Sequence, residues 1–429
     1  MPDPRGSATT RQASPPTGEH ADPVALAREV EARYLRYLKT TFYFKDPVLR
    51  ESFARALNAG RLTKGPYLEG TPVFKRGQRL REIFRDLMGL TPDEGFAAAL
   101  QADRPLYWHQ QQAIQKVCED RNVVVATGTG SGKTEAFLYP ILIHLYKEFT
   151  AGVLGPGVRA LILYPMNALA NDQRDRLGRP RGGSEPPGIA TVLKERGSPF
   201  GFTFGQYTGE TPDNENDSYR NARNHMASRL SGELVLRSDM RKNPPHILLT
   251  NYSMLEYLLL RPKDSDLFDK GRGQTWTFLV LDEAHQYRGS KGIEMAMLLR
   301  RLKRRVREGG RTGRLRCIAT SATLVGGAAD KKAVAQFACD LFGEEFLEDD
   351  VILSDAELIG EPGPRNLPPN AYGSIKEVLD RGEPVKGKGH LSEIERALSL
   401  NFPEGLVGNA RILRSLEGAF VSYWPRKEV

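Results

Sequence analysis

Four consecutive apolar residues, Val123-Val124-Val125-Ala126, run without a spacer into Thr127-Gly128-Thr129-Gly130-Ser131-Gly132-Lys133-Thr134. No other segment constrains the chain as strongly. A short apolar run of this kind reads as a buried strand, and the amphipathic stretch Lys133 to Lys147 after the loop reads as a helix. Glycines let backbone N–H groups converge on one point, and the helix N-terminus adds partial positive charge there. Strand, glycine loop and helix in that order make a cradle for a phosphate chain. Its amides would surround a β-phosphate, Lys133 would bridge the β- and γ-phosphates, and the Thr134 hydroxyl would hold Mg²⁺. The strict pattern asks for glycine six residues before the lysine, and this chain has Thr127 there.

The texture around that cradle agrees with it. Val123 to Ala126, Arg159 to Tyr164, His246 to Thr250, Thr277 to Leu281 and Arg316 to Thr320 read as buried strands. Between them Trp108 to Cys118, Lys133 to Lys147, Ala168 to Leu177, Ser253 to Leu260 and Lys291 to Arg307 read as helices. Strands alternating with helices predict a doubly wound, mostly parallel α/β sheet. The chain has 429 residues, enough for two to three domains. The sequence predicts a disordered polar tail over 1–21, a small helical accessory region over 22–103 and the α/β domain over 104–325. A linker over 326–429 follows, leading toward a further lobe. The Pro, Gly and Ser-rich stretch Arg179 to Pro199 reads as a surface insertion.

Composition narrows the class. The net charge of +8 is a mild basic bias, which permits a nucleic-acid partner without demanding one. Three cysteines and no CxxC pair exclude a disulfide scaffold and a zinc ribbon. No apolar run approaches a membrane span, and the polar N-terminus carries no signal-peptide block. The expectation is a cytoplasmic chain without a membrane partner.

Phosphate binding alone does not hydrolyse a nucleotide; a carboxylate for the metal and a group to orient water are also needed. Phe278-Leu279-Val280-Leu281 leads into Asp282-Glu283-Ala284-His285. The end of a buried strand is where open α/β sheets bind ligands, so Asp282 would take the Mg²⁺ and Glu283 would act as general base on water. His285 would sense the γ-phosphate or link to the next motif. Together these features point to ATP and Mg²⁺ as cofactors, with Thr127 to Thr134 as the ATP-binding loop and Lys133, Asp282, Glu283 and His285 as the catalytic set.

The order of motifs resembles the first RecA-like domain of a superfamily 2 DEAD/DEAH-box helicase, and within that group the MrfA-like branch, helicases with a C-terminal cysteine cluster. Leu106-Tyr107-Trp108-His109-Gln110, then Ala113-Ile114, resembles the glutamine motif, which implies that Gln110 reads the adenine edge. Tyr164 to Gln173 resembles motif Ia, Tyr207 to Pro212 motif Ib and Ile247 to Leu255 motif Ic. Asp282 to His285 is motif II, and Thr320-Ser321-Ala322-Thr323 resembles motif III. The resemblance implies that Ser321, Ala322 and Thr323 couple nucleotide state to strand contact. Tyr287-Arg288-Gly289 with Gly292 and Leu298 to Leu302, and the leader Lys64 to Leu68, fit the same branch. The resemblance covers Val24 to Leu347 and implies a DNA strand as partner, RNA being the alternative, in repair or in defence against foreign DNA.

Small polar residues after successive strands, Asn167, Thr208, Gly209, Thr250 and Asn251, can offer donors to phosphates without reading bases. Arg300 to Arg316 is the most basic segment, but Met295, Leu298, Leu299, Leu302 and Val306 form an apolar stripe through it, and a solvated helix face is the favoured reading. A motor of this kind needs a second RecA-like lobe to supply arginines to the γ-phosphate. Nothing after Thr323 resembles that arginine element. The expectation is therefore a first lobe that needs a second, in trans or in a further C-terminal part, and that turns ATP over weakly by itself. Two other readings compete: a hydrolysis-deficient nucleotide- or DNA-binding scaffold, and a transporter-type ATPase. Intact Lys133, Thr134, Asp282 and Glu283 weigh against the first, and the absence of an ABC-type signature weighs against the second.

Overall fold

The computed structural model describes residues 23–59, 73–89, 91–128, 130–182, 185–322 and 330–355. The chain divides into two compact units, one holding residues 1–72 and 358–429 and the other Val73–Glu357. In the first, helices Pro23–Thr41 and Pro47–Ala59 face each other. Asp46 caps the second helix, accepting the amides of Val48 and Leu49 at 2.8 and 3.0 Å, and Phe53 packs edge-on against Phe42 and Phe44.

The second unit is built on an eight-stranded, all-parallel sheet. In chain order, a two-stranded antiparallel pair, β1 (Arg76–Arg79) and β2 (Pro105–Tyr107), precedes it. The main strands are β3 (Val123–Ala126), β4 (Ala160–Tyr164), β5 (Phe204–Tyr207), β6 (Glu233–Leu234), β7 (Ile247–Asn251), β8 (Phe278–Leu281), β9 (Arg316–Ser321) and β10 (Val351–Leu353). Their spatial order is β10-β3-β9-β8-β4-β7-β5-β6. Alternate residues of each strand feed two cores, as the two-residue period of a strand requires. Val123, Val125, Ile162 and Val280 join one core, covered by helices Trp108–Cys118 and Lys133–Thr150. Val124, Leu161, Leu163 and Leu279 join the other, covered by Tyr252–Leu260, Gly289–Glu308 and Lys331–Phe342.

The five expected strands and five expected helices of this unit are all present, with ends shifted by a few residues. Three boundaries differ. The sheet's unit begins at Val73 rather than Arg104, because Phe84 and Phe96 pack into the first core and Phe96 stacks on Tyr146 with ring centroids 4.2 Å apart. The surface insertion contains the helix Ile189–Glu195, whose Ile189 and Leu193 are buried; its one apolar turn is hidden by the Pro and Gly residues before it. The expected linker begins inside the sheet: Lys331–Phe342 packs on the second core, and β10 pairs with β3 as an edge strand. The expected tail over 1–21 and the stretch after Asp355 lie outside the described residues. Among the described helices, none is long and apolar enough to cross a membrane.

His246, at the entry to β7, is buried. Its Nδ1 accepts the Thr203 amide at 2.9 Å, so Nε2 carries the proton and donates to the Gly155 carbonyl at 3.2 Å. Burial first, and the nearby Arg159 charge second, push its pKa from 6.5 down to about 4. The folded state therefore resists a proton that the unfolded chain accepts. This contribution to stability is complete above pH 6.5 and is lost as pH falls through the window toward 4, by up to about 3 kcal/mol. Denaturant melts of wild type and His246→Gln across that window should show a shallower pH slope in the variant; equal slopes would contradict the assignment.

Candidate nucleotide site and strand-facing loops

The loop after β3 is pinned from three sides. The Thr127 amide donates to the Ser321 carbonyl of β9 at 3.1 Å, which continues the sheet into the loop. The Thr127 and Ser131 hydroxyls meet at 2.6 Å across it. A glycine at 127 could not make that contact, so the departure from the strict pattern has a structural use here. Helix Trp108–Cys118 supplies the third clamp: His109 Nε2 lies 2.7 Å from the Ser131 carbonyl, and Gln110 Nε2 donates to the Gly132 carbonyl at 3.0 Å. Carbonyl oxygens repel an anion, and tethering these two removes them as competitors for the cradle. Gly132 has φ +74°, and a Cβ there would lie 2.3 Å from Gln110 Nε2.

Parallel pairing brings the acidic motif alongside. Register between β8 and β9 matches Leu281 with Ala319, which sets Thr320 beside Asp282. The Thr320 hydroxyl donates to Asp282 Oδ1 and accepts the Glu283 amide at 3.3 Å. Burial raises the Asp282 pKa above the usual carboxylate range; the Thr320 hydrogen bond offsets part of this, and the Glu283 charge adds to it. Glu283 adopts φ +50°, a left-handed backbone uncommon outside glycine and a form of strain found at functional turns. Its Oε1 lies 3.6 Å from Lys133 Nζ, so the loop lysine and the general-base candidate face each other. His285 Nδ1 lies 3.2 Å from both Glu283 Oε2 and Ser321 Oγ.

The expected catalytic residues Lys133, Asp282, Glu283 and His285 thus converge, with Ser321 among them. Ala322 follows at the end of β9, half-buried. Thr129 and Thr323 lie outside the described residues. Gln110 also holds the loop: its carbonyl accepts the Tyr107 amide at 2.9 Å and one N–H of its amide donates to the Gly132 carbonyl at 3.0 Å. Sequence reasoning gave no role to Thr320, His109 or Gln173. Gln173 Nε2 reaches the Thr134 hydroxyl at 3.4 Å, and the signal for it was its place four residues on from Leu169 in the same helix. Three buried polar atoms around the loop have no protein partner: His109 Nδ1, Glu135 Oε2 and Tyr164 Oη. A nucleotide with its hydrated cation would meet such atoms. Thr134, Asp282 and phosphate oxygens are the hard donors that Mg²⁺ prefers, so the residues present fit both groups.

The residues expected to contact a nucleic-acid strand gather at the ends of three neighbouring strands, where Tyr164 pairs with Asn251 and Tyr207 with Thr250. Asn251 Nδ2 donates to Asn167 Oδ1 at 2.7 Å, and Asn251 Oδ1 caps the next helix through the Met254 amide at 2.8 Å. Gly209 is exposed. Thr208 and Thr250 do not offer free hydroxyls to solvent. Thr250 is buried and donates to the Tyr207 carbonyl at 2.7 Å, while buried Thr208 is held through its amide by Thr211 and through its carbonyl by Arg237. A threonine on the inward face of a turn satisfies local backbone, which the linear sequence does not distinguish from an outward one. In the basic segment, Arg304 pairs with Glu308 and Arg305 with Asp269, each at 2.9 Å, and Lys303 is buried against the end of Lys331–Phe342. Those contacts accord with a structural helix face.

The DEAD/DEAH box helicase family model matches residues 107–198 and 215–330. The chain carries a DEAD/DEAH box helicase domain. It is 32% identical over 387 residues to the Druantia protein DruE of Escherichia coli, covering 70% of this chain and 20% of that protein. It is 31% identical over 217 residues to the uncharacterized ATP-dependent helicase YprA of Bacillus subtilis, covering 49% of this chain and 22% of that one. The chain spans about a fifth of the length of these curated relatives. Among solved structures, DUF1998 helicase MrfA bound to DNA and AMPPNP matches at 23% identity and a TM-score of 0.46, over 81% of this chain and 43% of that one.

The clamped loop makes a direct forecast. Gly132→Ala adds a Cβ at positive φ and against Gln110, costing at least about 1 kcal/mol, and should lower the melting temperature and abolish nucleotide retention. Gly128→Ala, where a Cβ meets nothing within 4 Å, should leave the melting temperature unchanged. Equal behaviour of the two variants would contradict the clamp.

Proposed function

We propose that this chain is the ATP-binding first motor domain of an ATP-dependent helicase or translocase of the MrfA-like branch. It would couple hydrolysis to movement along a DNA strand, in repair or in defence against foreign DNA. The observation that carries the reading is the meeting of Lys133, Glu283, Asp282, Thr320 and His285 at the C-terminal ends of three adjacent strands. In this reading Lys133 exchanges Glu283 for phosphate oxygens. That releases Glu283 to orient an attacking water and take its proton on a carboxylate oxygen. Thr134 and Asp282 would hold Mg²⁺, which neutralises charge on the phosphates. Ser321, through His285, links the site to the end of β9, and so to the stretch holding Ala322 and Thr323.

Gly209, Asn167 and Asn251 would contact the strand's backbone, with Thr208 and Thr250 shaping the loops behind them. Contacts of this kind position a strand and do not read its sequence. Completion of the site by arginines of a second RecA-like lobe, in trans or in a further part of the protein, belongs to the same proposal.

Two measurements test it. ATP with Mg²⁺ should raise the melting temperature of the chain, and Lys133→Ala should remove the rise. With a second lobe supplied, DNA should stimulate ATPase, and Glu283→Gln should keep nucleotide binding while losing about a hundredfold or more of turnover. Nucleotide binding without any turnover in the two-lobe assembly would favour the scaffold reading instead. Strong DNA-stimulated turnover by this chain alone would contradict the need for a second lobe.

A further inference from the structure

Tyr164 closes β4 and is fully buried, and its hydroxyl has no hydrogen-bond partner. An orphaned buried hydroxyl is disfavoured, and phenylalanine would fill the same space without that penalty. Its burial also removes it from the strand-contacting role that its position in motif Ia suggests. Its surroundings point elsewhere. The Asp282 amide donates to the Leu163 carbonyl at 3.0 Å, so Tyr164 and Asp282 end adjacent strands side by side. Strand alternation places Tyr164 with Ala160 and Ile162, and Asp282 with Phe278 and Val280, on the face that carries the phosphate-loop helix.

The charged groups acting on the phenol are Asp282 and Arg176. Arg176 pairs with Glu135 in the first turn of that helix at 3.4 Å, and Gln173 of the same segment reaches the Thr134 hydroxyl at 3.4 Å. A tyrosine hydroxyl is an ordinary hydrogen-bond donor at neutral pH. Thr320 already occupies Asp282 Oδ1. A hydrogen-bond donor is thus stored, without a partner, beside Asp282, which would hold a divalent cation.

We propose that the Tyr164 hydroxyl is a positioning donor to the Asp282 side of the hydrated cation, making the hydrogen bond it lacks here when nucleotide and Mg²⁺ arrive. This rests on the ATP·Mg²⁺ reading above. It assigns to Tyr164 the outer-shell work that orients a metal-binding carboxylate.

The test is Tyr164→Phe in the full chain, read as Mg²⁺-dependent binding of a fluorescent ATP analogue, with EDTA and Asp282→Asn as references. The expected result is a melting temperature no lower than that of the wild type and unchanged analogue binding in EDTA, with the Mg²⁺ concentration for half-maximal tightening raised about fivefold, the factor one hydrogen bond carries. A wild-type Mg²⁺ response reproduced by Tyr164→Phe overturns the tyrosine's role and leaves the ATP reading standing. An equal loss in EDTA and in Mg²⁺ overturns it too, since a packing defect has no metal dependence. Absence of any Mg²⁺-dependent binding in the wild type overturns both.

Discussion

The site depends on the parallel register of β3, β9 and β8. Val125 lies opposite Thr320, Ala126 opposite Ser321, and Leu281 opposite Ala319. Because parallel strands run the same way, all three ends reach the same edge of the sheet, and three segments distant in sequence deliver their polar residues there together. A one-residue slip in β8 would turn Asp282 to the opposite face, since side chains alternate. The fully buried Val, Ile and Leu residues of these strands prevent such a slip, because it would exchange the residues of two closely packed cores.

On that frame, a few hydrogen bonds hold polar groups ready. Thr320 joins the cation-side carboxylate to the backbone of Glu283. Helix Trp108–Cys118 holds the loop's carbonyls through His109 and Gln110. Lys133 and Glu283 pair with each other, which lowers the cost of keeping two charged groups half-buried. The strained backbone at Glu283 is supported by the same Thr320 hydroxyl. Such a site is preorganised for an anion and leaves a small set of buried donors and acceptors unsatisfied until one comes.

Much of this was legible in the sequence because it is local. A strand, a glycine loop and a helix are contiguous, so Thr127 to Thr134 can be read by eye, and so can Asp282 and Glu283 after their apolar strand. The roles of Gln110 and Thr250 were not legible. Gln110 matches a motif whose glutamine reads a base, and only the packed structure shows that it also ties the loop through Tyr107 and Gly132. Thr250 has the same local signature as an exposed loop threonine, and only the pairing of β7 with β5 turns it toward the Tyr207 carbonyl. The helix Ile189–Glu195 and strands β6 and β10 are too short for their periodicity to stand out from turns, and β5, as long as β3, has Gly205 and Gln206 interrupting its apolar run.

By itself, the sequence determined the α/β class, the phosphate loop and the acidic motif, since each is written in neighbouring residues whose local propensity and burial agree. Tertiary structure decided which hydroxyls and amides face the site and which serve the backbone. It made Thr320 the partner of Asp282, tied Gln110 to the loop, drew β10 into the sheet and left the Tyr164 hydroxyl without a partner. The physical reason is that a hydrogen bond depends on the direction of a side chain, and that direction is set by strands and helices brought together from far along the chain.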